Sequence, residues 1–137
     1  MNPFDISTEH VATLRLPYPP TINNYYGYNS KTGRKFIKKE GKEYRLKVIE
    51  ILRQALPNRN PNQEKLSVWA VANVPDRRVR DLDNINKALL DAISHSNVVW
   101  TDDFNIDDLR VVRGEVTKGG SVIVYVRKIL NETTTGQ

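Results

Sequence analysis

Cysteine is missing altogether from the 137 residues, which excludes disulfides, thiolate zinc sites and cysteine nucleophiles and suits a reducing compartment. Histidine is nearly missing: His10 and His95 stand far apart in the chain, so a histidine-built metal site is not expected. A divalent ion would have to sit on oxygen ligands, and hard oxygen donors favour Mg²⁺, with Mn²⁺ as a substitute. No apolar run approaches the roughly 18 residues that span a bilayer, and no membrane association is expected. The start, MNPFDISTEHVATLRL, lacks the basic-then-apolar order of a secretory signal. Internal repeats and low-complexity tracts are also absent.

What is present suits one folded domain of ordinary composition, 39% hydrophobic and 27% charged. The net charge of +5 points to a polyanionic partner, because cations that neutralise phosphates release counterions on binding. The charge is clustered. Lys31, Arg34, Lys35, Lys38, Lys39, Lys42 and Arg45 face only Glu40 and Glu43 in the same stretch, and Arg77, Arg78 and Arg80 run directly into an acidic motif. The plainer reading of either cluster is a solvated surface.

Along the chain, residues 1–10 read as a loose leader and Val11–Leu16 as a strand ended by Pro17, Pro19 and Pro20. Thr21–Arg34 reads as loop and Lys35–Ile37 as a short strand. Between Lys39 and Leu56, Tyr44, Val48, Ile51, Leu52 and Ala55 share one face of a 3.6-residue period, predicting a helix stopped by the Pro57–Asn62 segment. Leu66–Val74 reads as a strand. A second helix is expected over Leu82–Ser94, with Leu82, Ile85, Leu89, Ala92 and Ile93 buried and Asp81 as its N-cap. Leu109–Val116 and Ser121–Val126 read as two strands joined by a turn at Lys118-Gly119-Gly120. The sum is a single α+β domain, with a mixed sheet of about four or five strands and two main helices.

The chemistry concentrates in Asp76–Lys87. Two carboxylates two residues apart cannot share a face inside a regular helix, where each residue turns about 100°. They converge if Asp81 precedes the helix while Asp83 lies in its first turn, with Lys87 one turn further along the same face. Asp102-Asp103 follows the apolar Val98–Trp100 anchor and supplies a second acidic site. Asp81, Asp83 and Asp103 would serve a Mg²⁺ ion if that turn folds over the helix N-terminus, whose dipole also favours an incoming phosphate. Plainer alternatives stay open: Asp81 as a simple cap, Asp83–Lys87–Asp91 as a surface charge ladder, and Asp102-Asp103 and Asp107-Asp108 as polar turns. Tyr18, Tyr25, Tyr26 and Tyr28 interleave with basic residues, either to stack on exposed bases or to pack a loop on the core. The Gly27–Lys35 stretch is no P-loop, since no Gly-Lys-Ser/Thr follows its glycines.

PDRRVRDLDNINK, then VVWTDD, then DLRVVRGEVTKGG resemble the RusA family of Holliday junction resolvases. LPYPPTINNYY and KKEGKEYR resemble that family's N-terminal stretch and the start of its first helix, so the likeness spans roughly residues 13–127. It divides the chain into a leader over residues 1–12, an endonuclease domain over 13–128 and a flexible tail over 129–137. The longer leader and an extra residue before Trp100 are its departures.

The resemblance implies a homodimeric, Mg²⁺-dependent endonuclease of the bacterial or phage-infected cytoplasm, associated with the nucleoid, that makes paired nicks in four-way junctions. By the same resemblance Asp81, Asp83 and Asp103 are metal-binding carboxylates and Lys87 the essential lysine. Arg77, Arg78 and Arg80 hold flanking phosphates, with Lys35, Lys38 and Lys118 as further DNA contacts. A broader branched-DNA or flap nuclease, or a non-catalytic DNA-binding factor on the same scaffold, are the competing expectations.

Overall fold

The computed structural model describes residues 2–57 and 60–130; of the expected tail over 129–137, Ile129 instead ends a strand, and residues 131–137 lie outside the described residues. A four-stranded mixed sheet is built from β1 (Thr8–Leu16), β4 (Leu66–Asn73), β5 (Ile106–Arg113) and β6 (Ser121–Ile129), in the order β1-β6-β4-β5. A separate ribbon pairs β2 (Tyr26–Tyr28) with β3 (Lys35–Ile37). Helix α1 (Ile22–Tyr25) is a single turn, and α2 (Lys39–Ala55) and α3 (Asn86–Ser96) are the two main helices. Among the described residues, no helix is long and apolar enough to cross a membrane.

Period-two burial dictates which face of the sheet the helices cover. Ala12, Leu14 and Leu16 of β1, Val68, Ala70 and Ala72 of β4, and Val122, Val124 and Val126 of β6 are buried. They form one core with Tyr44, Val48 and Leu52 of α2 and Ala88, Leu89, Ala92 and Ile93 of α3. Trp100 is fully buried, its indole N–H donating to Ser94 Oγ at 2.6 Å, so the apolar anchor after α3 is fixed before the chain turns toward β5. The opposite sheet face stays half open, with Trp69, Tyr125 and Val112 partly exposed.

Several elements depart from the expected boundaries. Strand β1 begins at Thr8, inside the expected leader, because Thr8 and Glu9 pair with Ile129 and Lys128. A bulge between His10 and Ala12 breaks the alternation that would have marked it. The expected loop over Thr21–Arg34 contains α1 and β2. The second helix opens as a 3-10 turn over Leu82–Ile85 before becoming α-helical, and it ends on Asn97 in the left-handed conformation (φ 61°).

Strand β5 lies three residues earlier than expected. Its register on β4 runs from Leu66↔Ile106 to Ala72↔Arg113, and the Asn73 side chain takes the Glu115 N–H at 3.1 Å, ending the strand. Strands β5 and β6 are joined but not paired. Strand β4 lies between them, parallel to β5 and antiparallel to β6.

Candidate active site

Asp81 stands at the entry to the 3-10 turn with extended backbone (φ −81°, ψ 135°), and its carboxylate makes no capping hydrogen bond. The expected cap position is occupied, but the side chain is left over. Asp83 lies in the first turn and is exposed. Among the described residues, neither carboxylate has a hydrogen-bond or ion-pair partner, so both face water unspent. Lys87, at the start of α3, is likewise exposed.

The second acidic pair sits on another 3-10 turn, Asp103–Asn105, which packs against α3. Asp102 caps it, its Oδ1 accepting the Phe104 N–H at 3.2 Å. Asn105 is buried beneath it and donates to Asn62 O at 3.3 Å, which anchors the turn. Partial burial, then the neighbouring Asp102 carboxylate, raises the pKa of Asp103, while the charge of Lys87 opposes them. Lys87 is therefore within electrostatic reach of Asp103, although the two are far apart in sequence.

Asp81, Asp83 and Asp103 are not gathered into a finished cage. Among the described residues, no three acidic or imidazole groups could hold one ion together. A cleft of about 320 Å³ lined by Arg45, Asp91, Ser94, His95 and Thr101–Asp103 places the second pair beside the middle of α3. Asp81 and Asp83 precede the helix. The cleft that holds Asp103 is instead lined by Asp91, Ser94 and His95, further along that helix. Like charges also keep bare carboxylates apart.

Asp91 is not a rung of a surface charge ladder. Its Oδ2 accepts Arg45 Nη2 at 2.7 Å and Nε at 3.0 Å, together with the Tyr25 hydroxyl. Arg45 Nε also donates to the Tyr25 hydroxyl at 3.0 Å. One carboxylate thus ties α1, α2 and α3 together beside the acidic turn. Burial, then the hydrogen bond to Asp91, pushes the Tyr25 hydroxyl far above its ordinary pKa, so it keeps its proton, donating to Asp91 while accepting from Arg45.

The basic residues divide by what they already hold. Asp76 accepts Arg80 at 2.7 Å and Arg78 at 3.2 Å, and these contacts, Arg80 first, hold its carboxyl far below the usual range. Arg80 is thereby a loop-shaping residue, whereas Arg77 is exposed. Lys35 lies over the Tyr26 ring at 3.9 Å, and Lys38 donates to Asn23 O at 2.7 Å, so both are partly spent inside the protein. Lys118 is exposed on a turn whose Thr117 N–H bonds Val74 O at 2.8 Å, which brings it to the arginine loop's end of the sheet. Tyr25 and Tyr26 are buried and cannot stack on bases. Tyr18 is half-buried near Arg80 and Arg113, and Tyr28 is 71% exposed.

Two participants were invisible to local patterning. Arg113, at the end of β5, donates to Arg80 O at 3.0 Å and lines a cleft of about 360 Å³ with the Arg77–Arg80 loop. The Arg45–Asp91 pair joins residues 46 apart, and its only trace in sequence is a lone acid on the half-buried flank of an amphipathic helix.

The family model described as Endodeoxyribonuclease RusA matches residues 17–127. The chain is 38% identical over 120 residues to the crossover junction endodeoxyribonuclease RusA of Shigella sonnei (strain Ss046), covering 88% of this chain and 97% of that one. It is 37% identical to the protein of the same name from Escherichia coli (strain K12), with the same coverage. Against the crossover junction endodeoxyribonuclease of Enterobacteria phage 82 the identity is 36% over 127 residues, 93% of this chain and all of that one.

Proposed function

Since this chain belongs to the RusA family of endodeoxyribonucleases, we propose that it resolves four-way DNA junctions by paired, metal-dependent hydrolysis of phosphodiester bonds. The observation that carries this reading is a pair of exposed, unspent carboxylates, Asp81 and Asp83, beside an arginine loop, with Lys87 reaching electrostatically to Asp103. An unpaired acidic pair next to fixed cations stabilises nothing in the fold, but it suits a site that takes both a cation and a phosphate.

The donor set fits Mg²⁺ in its chemistry. Every candidate ligand is a hard carboxylate, and the Asp102–Asp103 pair carries excess negative charge that a cation would relieve. Asp81, Asp83 and Asp103 would hold the ion, closing on it from their separate positions. When bound, the ion supplies a water of lowered pKa and neutralises charge on phosphate oxygens.

The chain's own residues supply the rest. The Lys87 ammonium, one turn beyond Asp83 and within electrostatic reach of Asp103, donates to an oxygen of the scissile phosphate as charge builds there. Arg77, with Arg113 and Lys118 on the same end of the sheet, holds flanking phosphates, which position a substrate without reading its sequence. Arg80 and Arg78, locked to Asp76, keep that loop in the shape that presents Asp81. A four-way junction offers two symmetry-related strands, so a two-fold homodimer gives each its own site. The work is done at the DNA, in the cytoplasm of a bacterial or phage-infected cell.

Asp83→Asn removes one ligand charge without changing shape. It is expected to abolish nicking of a synthetic four-way junction in Mg²⁺ while leaving gel-shift affinity for that junction within a few-fold. Full cleavage by this variant would remove Asp83 from the site.

A further inference from the structure

The ribbon of β2 and β3 carries a feature that the reaction just described does not use. Gly27 sits opposite Phe36 in the ribbon, and the end of the Phe36 ring reaches over it: a β-carbon at Gly27 would stand 2.5 Å from Phe36 Cζ. The ring is nonetheless 48% exposed. Its free surface lines a cleft of about 660 Å³ between the ribbon and the first turn of α2, bordered by Asn24, Lys38, Lys39 and Lys42. Glu40 is the single acid on that rim. Lys38 is held by Asn23 O, while Lys39 and Lys42 are exposed. Tyr26, the next residue of the ribbon, is buried and lies within electrostatic reach of Asp91 and Asp103, so the ribbon is seated between this cleft and the acidic turn's side of the molecule.

An aromatic ring held against a glycine, half open to water and bordered by lysines is poorly explained as packing. Exposing it costs hydrophobic free energy, and the nearby cations match a phosphate backbone rather than a protein's apolar patch. A base pair inside a duplex has no free face for such a ring, whereas a branch point offers unstacked bases. We propose that this cleft receives one unpaired nucleobase from the branch point, stacked on Phe36, with the adjoining phosphates on Lys39 and Lys42. The inference rests on the branched-DNA reading above and makes this ribbon the element that distinguishes a branch from a linear duplex.

The test uses full-length Asp83→Asn protein, which is expected to bind without cutting, and compares dissociation constants for a four-way junction and for a linear duplex with the same arm sequence. Adding Phe36→Ala should weaken junction binding about tenfold or more, given the usual strength of base–aromatic stacking, with duplex binding unchanged. Phe36→Trp should restore it. A wild-type measurement guards against misfolding of the variants: 5-iodouracil placed at the branch point should photo-cross-link to Phe36, and the same base placed within an arm should not. Undiminished junction preference in Phe36→Ala, equal loss on both substrates, or cross-links confined to the arms would each overturn the stacking site alone. Absence of any junction preference in the Asp83→Asn protein would overturn the branched-DNA reading, and the stacking site with it.

Discussion

Asp108 illustrates how one side chain's surroundings become a pH dependence. Burial would raise its pKa, but hydrogen bonds from Ser67 Oγ (2.6 Å), Trp69 Nε1 (3.0 Å) and Arg110 outweigh burial and lower it. A carboxyl with a depressed folded-state pKa contributes stability above its unfolded value, near about 4, and loses it as pH falls through the depressed value. Asp108→Asn is therefore expected to cost about 1–3 kcal/mol at pH 7, with the gap to wild type closing below about pH 4 in thermal melts across pH. The arginines separate in the same residue-by-residue way. Arg77→Ala should weaken DNA binding and lower the salt slope by about one without changing the melting temperature, whereas Arg80→Ala should disturb the loop itself. The acidic motif and its lysine were legible because their chemistry is packed into one short segment. Arg113 was not, since only the parallel register of β5 on β4 brings it to that loop.

Among the elements, the helices were the most legible, because α2 and α3 carry an apolar stripe along their length. The N-terminal part of α2 holds a test of packing against propensity. Gly41 lies where a β-carbon would meet Tyr25 O at 2.6 Å and Ile37 Cγ2 at 2.7 Å. Helix propensity alone favours alanine there by about 1 kcal/mol, yet overpacking typically costs about 1–3 kcal/mol, and the clash involves backbone that cannot swing away. Gly41→Ala should accordingly destabilise the protein by about 1–2 kcal/mol in urea unfolding. The same contact seats α1 against α2, next to the Tyr25–Arg45–Asp91 knot that fixes both to α3. The strand limits were harder to see. The bulge in β1 hid its first residues, and Asp107-Asp108 made the start of β5 look like a turn. In fact Asp107 faces solvent, 3.5 Å from Lys65, and Asp108 accepts the three bonds described above.

The proposed chemistry gives each copy of the molecule one set of cutting residues, whereas a four-way junction must be cut on two strands. The proposed homodimer should sediment at twice 15.7 kDa. Wild type mixed and refolded with Asp83→Asn should give hybrid dimers that nick one strand of a cruciform plasmid and leave the opposite strand intact. A monomeric mass with undiminished paired cutting would exclude the dimer. The fold class was readable from the succession of elements, but the order of strands was not. Nothing local states that β6 is threaded between β1 and β4, and the glycine turn before it invited a hairpin with β5 instead.

That threading bears on how the protein comes into being. Among the described residues, the last strand made is the one that joins the first to the rest of the sheet, since β1 has no other partner strand in it. A nascent chain halted before residue 121 would leave β1 without a partner strand and the core open. The sheet must therefore close after translation has passed β6, and the many long-range pairings make that closure slow. Until β6 docks, β4 has β5 alone as its neighbour in the sheet, and the arginine loop that follows β4 stands on a half-built platform.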